Sequence, residues 1–157
     1  MDTHSMLPIF LRDLESAGVA KVDGRKVTLT IEQRWCAPGE SRLGYPGIVR
    51  LMECVRELHW RLDVTSRWPG MDTITKSLEV EFSRPLGAGS EVAGEYVLGE
   101  VDGRSYVLEI VLRDSATAEQ LARGRMVSVF YDEARRQTVE PPAPLVAALQ
   151  ATGQEET

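Results

Sequence analysis

The stretch that decides the fold runs from Gly44 to Val64 and reads G-Y-P-G-I-V-R-L-M-E-C-V-R-E-L-H-W-R-L-D-V. Pro46 stands where a first helical turn favours proline, because its ring pre-sets φ and the N–H it lacks has no partner there anyway. Ile48, Leu51, Met52, Val55, Leu58 and Leu62 then recur at helical spacing, so the pattern predicts one long helix. Val49 and Trp60 lie off that stripe. A helix that is apolar on more than one side is expected to be largely enclosed by other structure. Glu53 falls in the middle of it. A carboxylate there belongs either to the one wet strip of the helix, within reach of Arg50 and Arg56, or to a functional cavity.

Downstream of the helix the pattern changes to period two. Ile74, Leu78, Val80 and Phe82 alternate with Thr75, Ser77, Glu79, Glu81 and Ser83 until Pro85 to Gly89 breaks the run. Strands over Val92 to Gly99 and Ser105 to Leu112 follow, joined at the turn pair Asp102-Gly103, and a last strand covers Leu121 to Asp132. Upstream, residues 6–16 fit a short helix with Leu7, Leu11 and Leu14 on one side. Asp23-Gly24 opens a hairpin into a strand of about ten residues that reaches Trp35, at the long end of the usual range. Residues 36–47 hold two Pro and three Gly and form the loop into the helix.

The resulting order is strand, long helix, then four strands in an antiparallel meander. A helix of about 17 residues spans about 25 Å, and strands of about eight to ten residues span about 26 to 33 Å, so sheet and helix match. The expected fold class is α+β, with a curved antiparallel sheet of about five or six strands wrapped around one central helix. Residues 1–138 are expected to form this single domain, N-terminal helix and hairpin included. Residues 139–157, opening with E-P-P-A-P, are expected to be a Pro-rich, acidic and peripheral tail with room for a short helix at L-V-A-A-L-Q.

The composition narrows the function. A chain of 157 residues, 43% hydrophobic and 27% charged, fits one domain with a sizeable core. A formal net charge of −6 without any long Lys/Arg run argues against nucleic acid or an anionic membrane as partner. No stretch reaches the roughly 18 apolar residues of a membrane span, and Met6 to Leu11 lacks the basic lead-in of a secretory signal, so a cytoplasmic location is expected. Cys36 and Cys54 form no C-x-x-C pair and suit a reduced protein, each reading better as a small apolar residue than as a nucleophile. His4 and His59 stand apart, so no metal site is expected.

Three segments carry a resemblance: the loop with Tyr45-Pro46-Gly47 leading into IVRLMECVREL, the run V-E-F-S-R-P-L-G-A-G-S-E-V, and the strand L-A-R-G-R-M-V-S-V-F-Y-D. Over roughly residues 25–132 the chain resembles the hotdog-fold thioesterases, in particular the branch typified by 4-hydroxybenzoyl-CoA thioesterase. The resemblance implies a sheet curled around the central helix, homodimers or homotetramers formed by edge pairing of sheets, and thioester sites at subunit interfaces. It implies acyl substrates on coenzyme A or on the phosphopantetheine arm of an acyl carrier protein, with no cofactor beyond that carrier group. Many members of the branch place an Asp in the loop before the helix. The corresponding stretch here, C-A-P-G-E-S-R-L-G, has only Glu40. Other hotdog thioesterases place the carboxylate on the helix, and on that pattern the role of base or nucleophile falls to Glu53.

Thioester hydrolysis also needs donors aimed at the developing oxyanion, and Gly47 at the helix start offers a backbone N–H. From Gly47 to Glu53 an ideal helix turns about 600°, or roughly 240° in phase, so the two do not share a face and a second subunit would have to complete the site. His59 is a candidate base, or a core or interface residue given its spacing with Met52, Val55 and Leu62. Tyr45, Arg42, Arg84, Arg123 and Arg125 are candidate substrate-binding residues, the arginines for phosphates or an acidic carrier, or else ordinary surface charge. The leading reading is an acyl thioesterase. A dehydratase or hydratase pairing Glu53 with His59 across a dimer, and a non-catalytic acyl-thioester binder, are the alternatives.

Overall fold

The computed structural model describes residues 11–155, with side chains through residue 152. Helix α1 (Leu11–Ser16) leads into the hairpin β1 (Ala20–Asp23) and β2 (Lys26–Thr30), and a short 3-10 turn, Gln33–Trp35, precedes helix α2 (Tyr45–His59). A π-helical turn, Trp60–Thr65, continues α2 without a break. Four long strands follow, β3 (Met71–Phe82), β4 (Glu91–Asp102), β5 (Ser105–Asp114) and β6 (Gln120–Asp132), then the two-residue β7 (Gln137–Thr138) and helix α3 (Ala143–Glu155).

Helix α2 forms as its spacing predicts, with Gly44 in extended backbone as its cap and Pro46 in its first turn. Ile48, Leu51, Met52, Val55 and Leu58 are buried against the sheet. Two strand glycines let it lie close: a Cβ on Gly94 of β4 would stand 2.6 Å from Val55, and one on Gly124 of β6 would stand 2.9 Å from the Met52 sulfur. The enclosure is not complete. Val49, Arg50, Glu53, Arg56, Glu57 and Trp60 form a half-buried strip.

The sheet is antiparallel in the order β1-β2-β4-β5-β6-β3, with β7 folded back on β6. This is the curved sheet around a central helix that the sequence predicts, with one difference in topology. β3 does not join β4 in a meander but pairs with β6 at the far edge. β4 already has β2 as its neighbour, and α2 carries the chain across the concave face before β3 begins. The predicted long first strand is also shorter, ending at Thr30. Its partner β4 begins at Glu91, opposite Thr30, so beyond that point there is no strand left to pair with.

β3 holds the detail that matters for the site. Its register against β6 shifts between Thr75 and Ser77, leaving Lys76 as an extra residue. On β6 the buried row is Ala122, Gly124, Met126, Ser128 and Phe130. Their partners on β3 are Phe82, Val80 and Leu78 on one side of the bulge, then Thr75 and Thr73 on the other. Strict alternation would have turned Ile74 inward with Leu78. The bulge instead turns Thr73 and Thr75 toward α2 and leaves Ile74 exposed on the outer face.

Both tight turns read D-G-R. Gly24 and Gly103 take the first central position with φ of 60° and 61°, a left-handed conformation that costs glycine little. Asp23 and Asp102 therefore pair across the turn, with Lys26 and Ser105, and Arg25 and Arg104 take the second central position.

The segment expected as a peripheral tail folds as α3, and Leu145 and Leu149 are 0% and 1% exposed in the same core as the sheet. Pro141, Pro142 and Pro144 start this helix rather than prevent it, since the Leu145 and Val146 N–H groups both bond the Pro142 carbonyl. At the other end Leu11 and Leu14 of α1 are buried as predicted, while Leu7 lies outside the described residues.

Candidate active site

Glu53 lies on the half-buried strip of α2, beneath β3, which is an edge strand of the sheet among the described residues, with its side chain 36% exposed. Its two oxygens are held by different elements. Thr75 Oγ1 of β3 donates to Oε1 at 2.7 Å, and Arg56 Nε, one turn along the helix, donates to Oε2 at 2.7 Å. Arg56 Nη1 also reaches the carbonyl and the hydroxyl of Thr73, at 2.8 and 3.1 Å. The choice posed by the sequence, a paired residue on a wet strip or a residue in a site, thus receives a combined answer. The carboxylate is paired, anchored at both ends and still open to solvent.

Gly47 is buried at the start of α2 and faces protein. A Cβ there would stand 2.6 Å from the Leu43 side chain and 3.1 Å from the Trp35 carbonyl, and its N–H donates to the Gly44 carbonyl at 3.1 Å. Close packing accounts for the glycine, and within one chain its N–H already has an acceptor. Glu40 lies in the exposed loop beside Arg42, at 3.5 Å. Burial, with the Glu57 charge next, pushes the Cys54 thiol up to about 12, so it is no nucleophile near neutral pH.

The candidate substrate-binding residues divide into two groups. The loop before α2 is tied to the loop after β3 by the Arg42–Gly87 bridge and by the Leu43 N–H on the Leu86 carbonyl. Tyr45, Arg42 and Arg84 are exposed on these segments, Arg84 in contact with Glu119. β3 runs opposite to α2, since Thr73 meets Arg56 and Thr75 meets Glu53. From Thr75 to Phe82 the strand advances about 20 Å, against about 12 Å of helix from Glu53 back to Tyr45, so Phe82 overshoots the helix start and stands exposed at the same end. Arg123 and Arg125 lie elsewhere. They project from the outer face of β6, away from α2 and Glu53, beside Glu81 and between Glu79 and Glu109 respectively.

His59 is 0% exposed. Its Nδ1 lies 2.8 Å from Asp63 Oδ2 and its Nε2 lies 2.7 Å from the Tyr106 hydroxyl, so both ring nitrogens are engaged inside the core. Asp63, in the π-helical turn, also accepts from the Tyr96 hydroxyl at 2.6 Å and from both Nη atoms of Arg25 at 2.7 and 2.9 Å. Burial alone would raise the Asp63 carboxyl, but hydrogen bonds from His59, Arg25 and Tyr96 outweigh it and hold the group at about 2. Burial lowers His59 below its ordinary 6.5 despite the attraction of Asp63. The ring is therefore neutral, with its Nδ1–H on Asp63 and the Tyr106 hydroxyl donating to Nε2.

This network makes stability pH-dependent. With the folded pKa of His59 below 6.5, the unfolded chain takes up the proton first as pH falls, so the His59 contribution is complete above 6.5 and declines below it. Asp63, lowered from 3.8 to about 2, adds a second loss between those values. Melts at pH 8 and pH 5 should show a lower Tm at pH 5, with a slope of at most about 1.4 kcal/mol per pH unit from one group. His59→Gln should flatten the drop; an unchanged pH dependence would remove His59 as its source.

The thioesterase-like superfamily matches residues 42–149, from the loop before α2 into α3. The chain belongs to that superfamily. Three solved structures share the fold of this thioesterase-like chain at low sequence identity. A 1,4-dihydroxy-2-naphthoyl-CoA thioesterase from Synechocystis is 12% identical over 80% of this chain and 94% of its own, with a TM-score of 0.64. A thioesterase from Thermus thermophilus, complexed with coenzyme A and Zn, is 18% identical over 82% and 94%, with a TM-score of 0.67. A Staphylococcus aureus protein in complex with CoA is 9% identical over 82% and 83%, also at 0.67. No curated protein matches in sequence. The hotdog fold is thereby established, and thioester hydrolysis is the reaction class of the superfamily. Among the described residues no helix is long and apolar enough to cross a membrane, and no cluster of His, Cys, Asp and Glu could hold a metal.

Sequence reasoning missed Arg25, Asp63, Tyr96 and Tyr106. Only the His59-to-Asp63 step, four residues along a helix, was visible locally. Arg25 and the two tyrosines reach that pair from turns and strands far away in the chain.

Proposed function

We propose that this chain hydrolyses an acyl thioester at Glu53, which acts as general base or as nucleophile. The observation that carries the reading is the setting of that carboxylate, solvent-reachable beneath a free strand edge with each oxygen held by a donor from a different element. As a base, Glu53 takes a proton from water as the water oxygen attacks the thioester carbonyl, and collapse of the tetrahedral intermediate expels the thiol. As a nucleophile, it forms an acyl-carboxylate anhydride with loss of thiolate, which water then opens.

Coenzyme A is the proposed carrier of the acyl group, a reading supported by the two structural neighbours that hold it. Tyr45, Arg42 and Arg84 would receive its nucleotide end, where arginines suit phosphates. A second copy paired along β3 would complete the site. The support is the outer edge of β3, which has no strand partner among the described residues, passes over Glu53 at Thr75, and carries exposed Ile74 and, further along, Phe82. The hydratase reading loses its base, because His59 is sealed in the core with both nitrogens bonded.

Thiol release from a panel of acyl-CoA, acyl-pantetheine and carrier-linked thioesters tests the proposal. Release from acyl-CoA is the expected result. Release from carrier-linked substrates alone would move the carrier assignment. Hydration of an enoyl thioester without free thiol, or tight binding of coenzyme A analogues with neither reaction, would overturn hydrolysis.

A further inference from the structure

We propose that Arg56 is a positioning residue for Glu53, held in place by Thr73 and by the buried chain of side chains behind it. The inference rests on the assignment of Glu53 above and adds the residues that set its geometry. A guanidinium is planar and its donors form a rigid fork, so fixing one arm fixes the direction of the others. Here Nη1 is fixed on the carbonyl and hydroxyl of Thr73, at 2.8 and 3.1 Å, and Nε consequently points at Glu53 Oε2, at 2.7 Å. Thr75 holds Oε1. Each carboxylate oxygen thus keeps a free lone pair in a defined direction, while the carboxylate plane cannot swing.

The anchor itself is anchored. On the inner face of the sheet Tyr106 of β5 stands in register with Ser128 of β6 and through it with Thr75 of β3, and its buried phenol, raised by that burial, also feels the Thr73 hydroxyl and the Arg56 charge. Tyr106 bonds His59 at 2.7 Å, His59 bonds Asp63 at 2.8 Å, and Asp63 is clasped by Arg25 from the β1–β2 turn. A row of polar side chains therefore runs from the solvent-reachable carboxylate, through β3 and β5, to the opposite edge of the sheet. Buried polar chains of this kind add little stability over an apolar core of the same shape. What they supply is a single geometry, and a carboxylate displaced by about 1 Å from its reacting position loses about a hundredfold in rate.

The test uses a thioester that the full-length protein hydrolyses, with kcat, KM and melting temperature measured for Arg56→Met, Arg56→Lys, Thr73→Val, Glu53→Gln and the double variant Glu53→Gln/Arg56→Met. Arg56→Met is expected to lower kcat about a hundredfold with KM within about twofold. Arg56→Lys should fall between Met and wild type, because an ammonium keeps the charge but not the fork. Thr73→Val, which retains the carbonyl anchor, should lose severalfold, and the double variant should be no slower than Glu53→Gln alone. A purely structural Arg56 would lower the melting temperature and leave kcat per folded site unchanged, without the order Lys above Met. An inactive Glu53→Gln beside a folded Arg56→Met with wild-type kcat would overturn the positioning role and leave Glu53 standing. An active Glu53→Gln would overturn both. Should Arg56→Met not fold, wild-type kcat in both Arg56→Lys and Thr73→Val is the overturning result.

Discussion

Glu53→Gln is expected to lower kcat for thioester hydrolysis about a hundred- to ten-thousandfold, the range spanned by a positioned general base. The substitution removes a charge and almost nothing else. Glutamine has the same length, and its carbonyl oxygen can still accept from Thr75 Oγ1, which now lies 2.7 Å from Oε1. The pairing with Arg56 is weakened. Because the Glu53 side chain is 36% exposed, that pairing contributes little to stability, about 0.2–1 kcal/mol for pairs of this type. The melting temperature should therefore move by a few degrees at most. Circular dichroism and a thiol-release assay on the same preparation separate the two effects. A variant that keeps more than a tenth of wild-type kcat would show that the reaction does not run through this carboxylate.

The largest loss of stability is expected from Asp63→Ala. Truncation removes the acceptor to which the His59 Nδ1–H and the Tyr96 hydroxyl both donate in the core. Each buried donor left unmade costs about 1–3 kcal/mol, so the pair costs on the order of 2–6 kcal/mol. Arg25 adds less than its two bonds suggest, because its side chain is 37% exposed and water can replace the carboxylate. For a domain of this size the sum corresponds to a fall in Tm of about 5–20 °C. Asp63→Asn, which keeps an acceptor oxygen, should lose distinctly less. Melting of Asp63→Ala within about 2 °C of wild type would show that the network relaxes around its loss.

The elements with strong local periodicity were legible in the sequence, and so was their assembly. Helix α2 announces itself through Pro46 and the Ile48-to-Leu58 spacing, and the match of its length to the strands leads to a wrapped sheet. The pairing of β3 with β6 was not legible, because alternation says that a segment is a strand and says nothing about its neighbour. The order of α3 was hidden by composition: P-P-A-P reads as a linker, yet three prolines ahead of Leu145 and Leu149 also suit a first helical turn. Glu53 could be singled out as a carboxylate amid apolar residues. Its partners on β3 could not, since Thr73 and Thr75 lie on the polar side of the apparent alternation. Lys76 was the missed signal, a charged residue in the row otherwise filled by Ile74, Leu78, Val80 and Phe82.

That one lysine has a consequence for how this protein can be compared with others. Upstream of Lys76 the odd-numbered residues of β3 look at the helix; downstream the even-numbered ones do. The strand is spliced from two phases, with Thr73 and Thr75 turned inward before the splice and the apolar Leu78, Val80 and Phe82 after it. A homologous chain with one residue fewer here would lose the bulge and still turn its counterparts of Thr73, Thr75 and Leu78 to the central helix, but an alignment without a gap would set its inward residues upstream of the splice against outward ones here. A gap placed opposite Lys76 therefore carries chemical meaning, because it alone brings the two positions that face the carboxylate, Thr73 and Thr75, against their true counterparts.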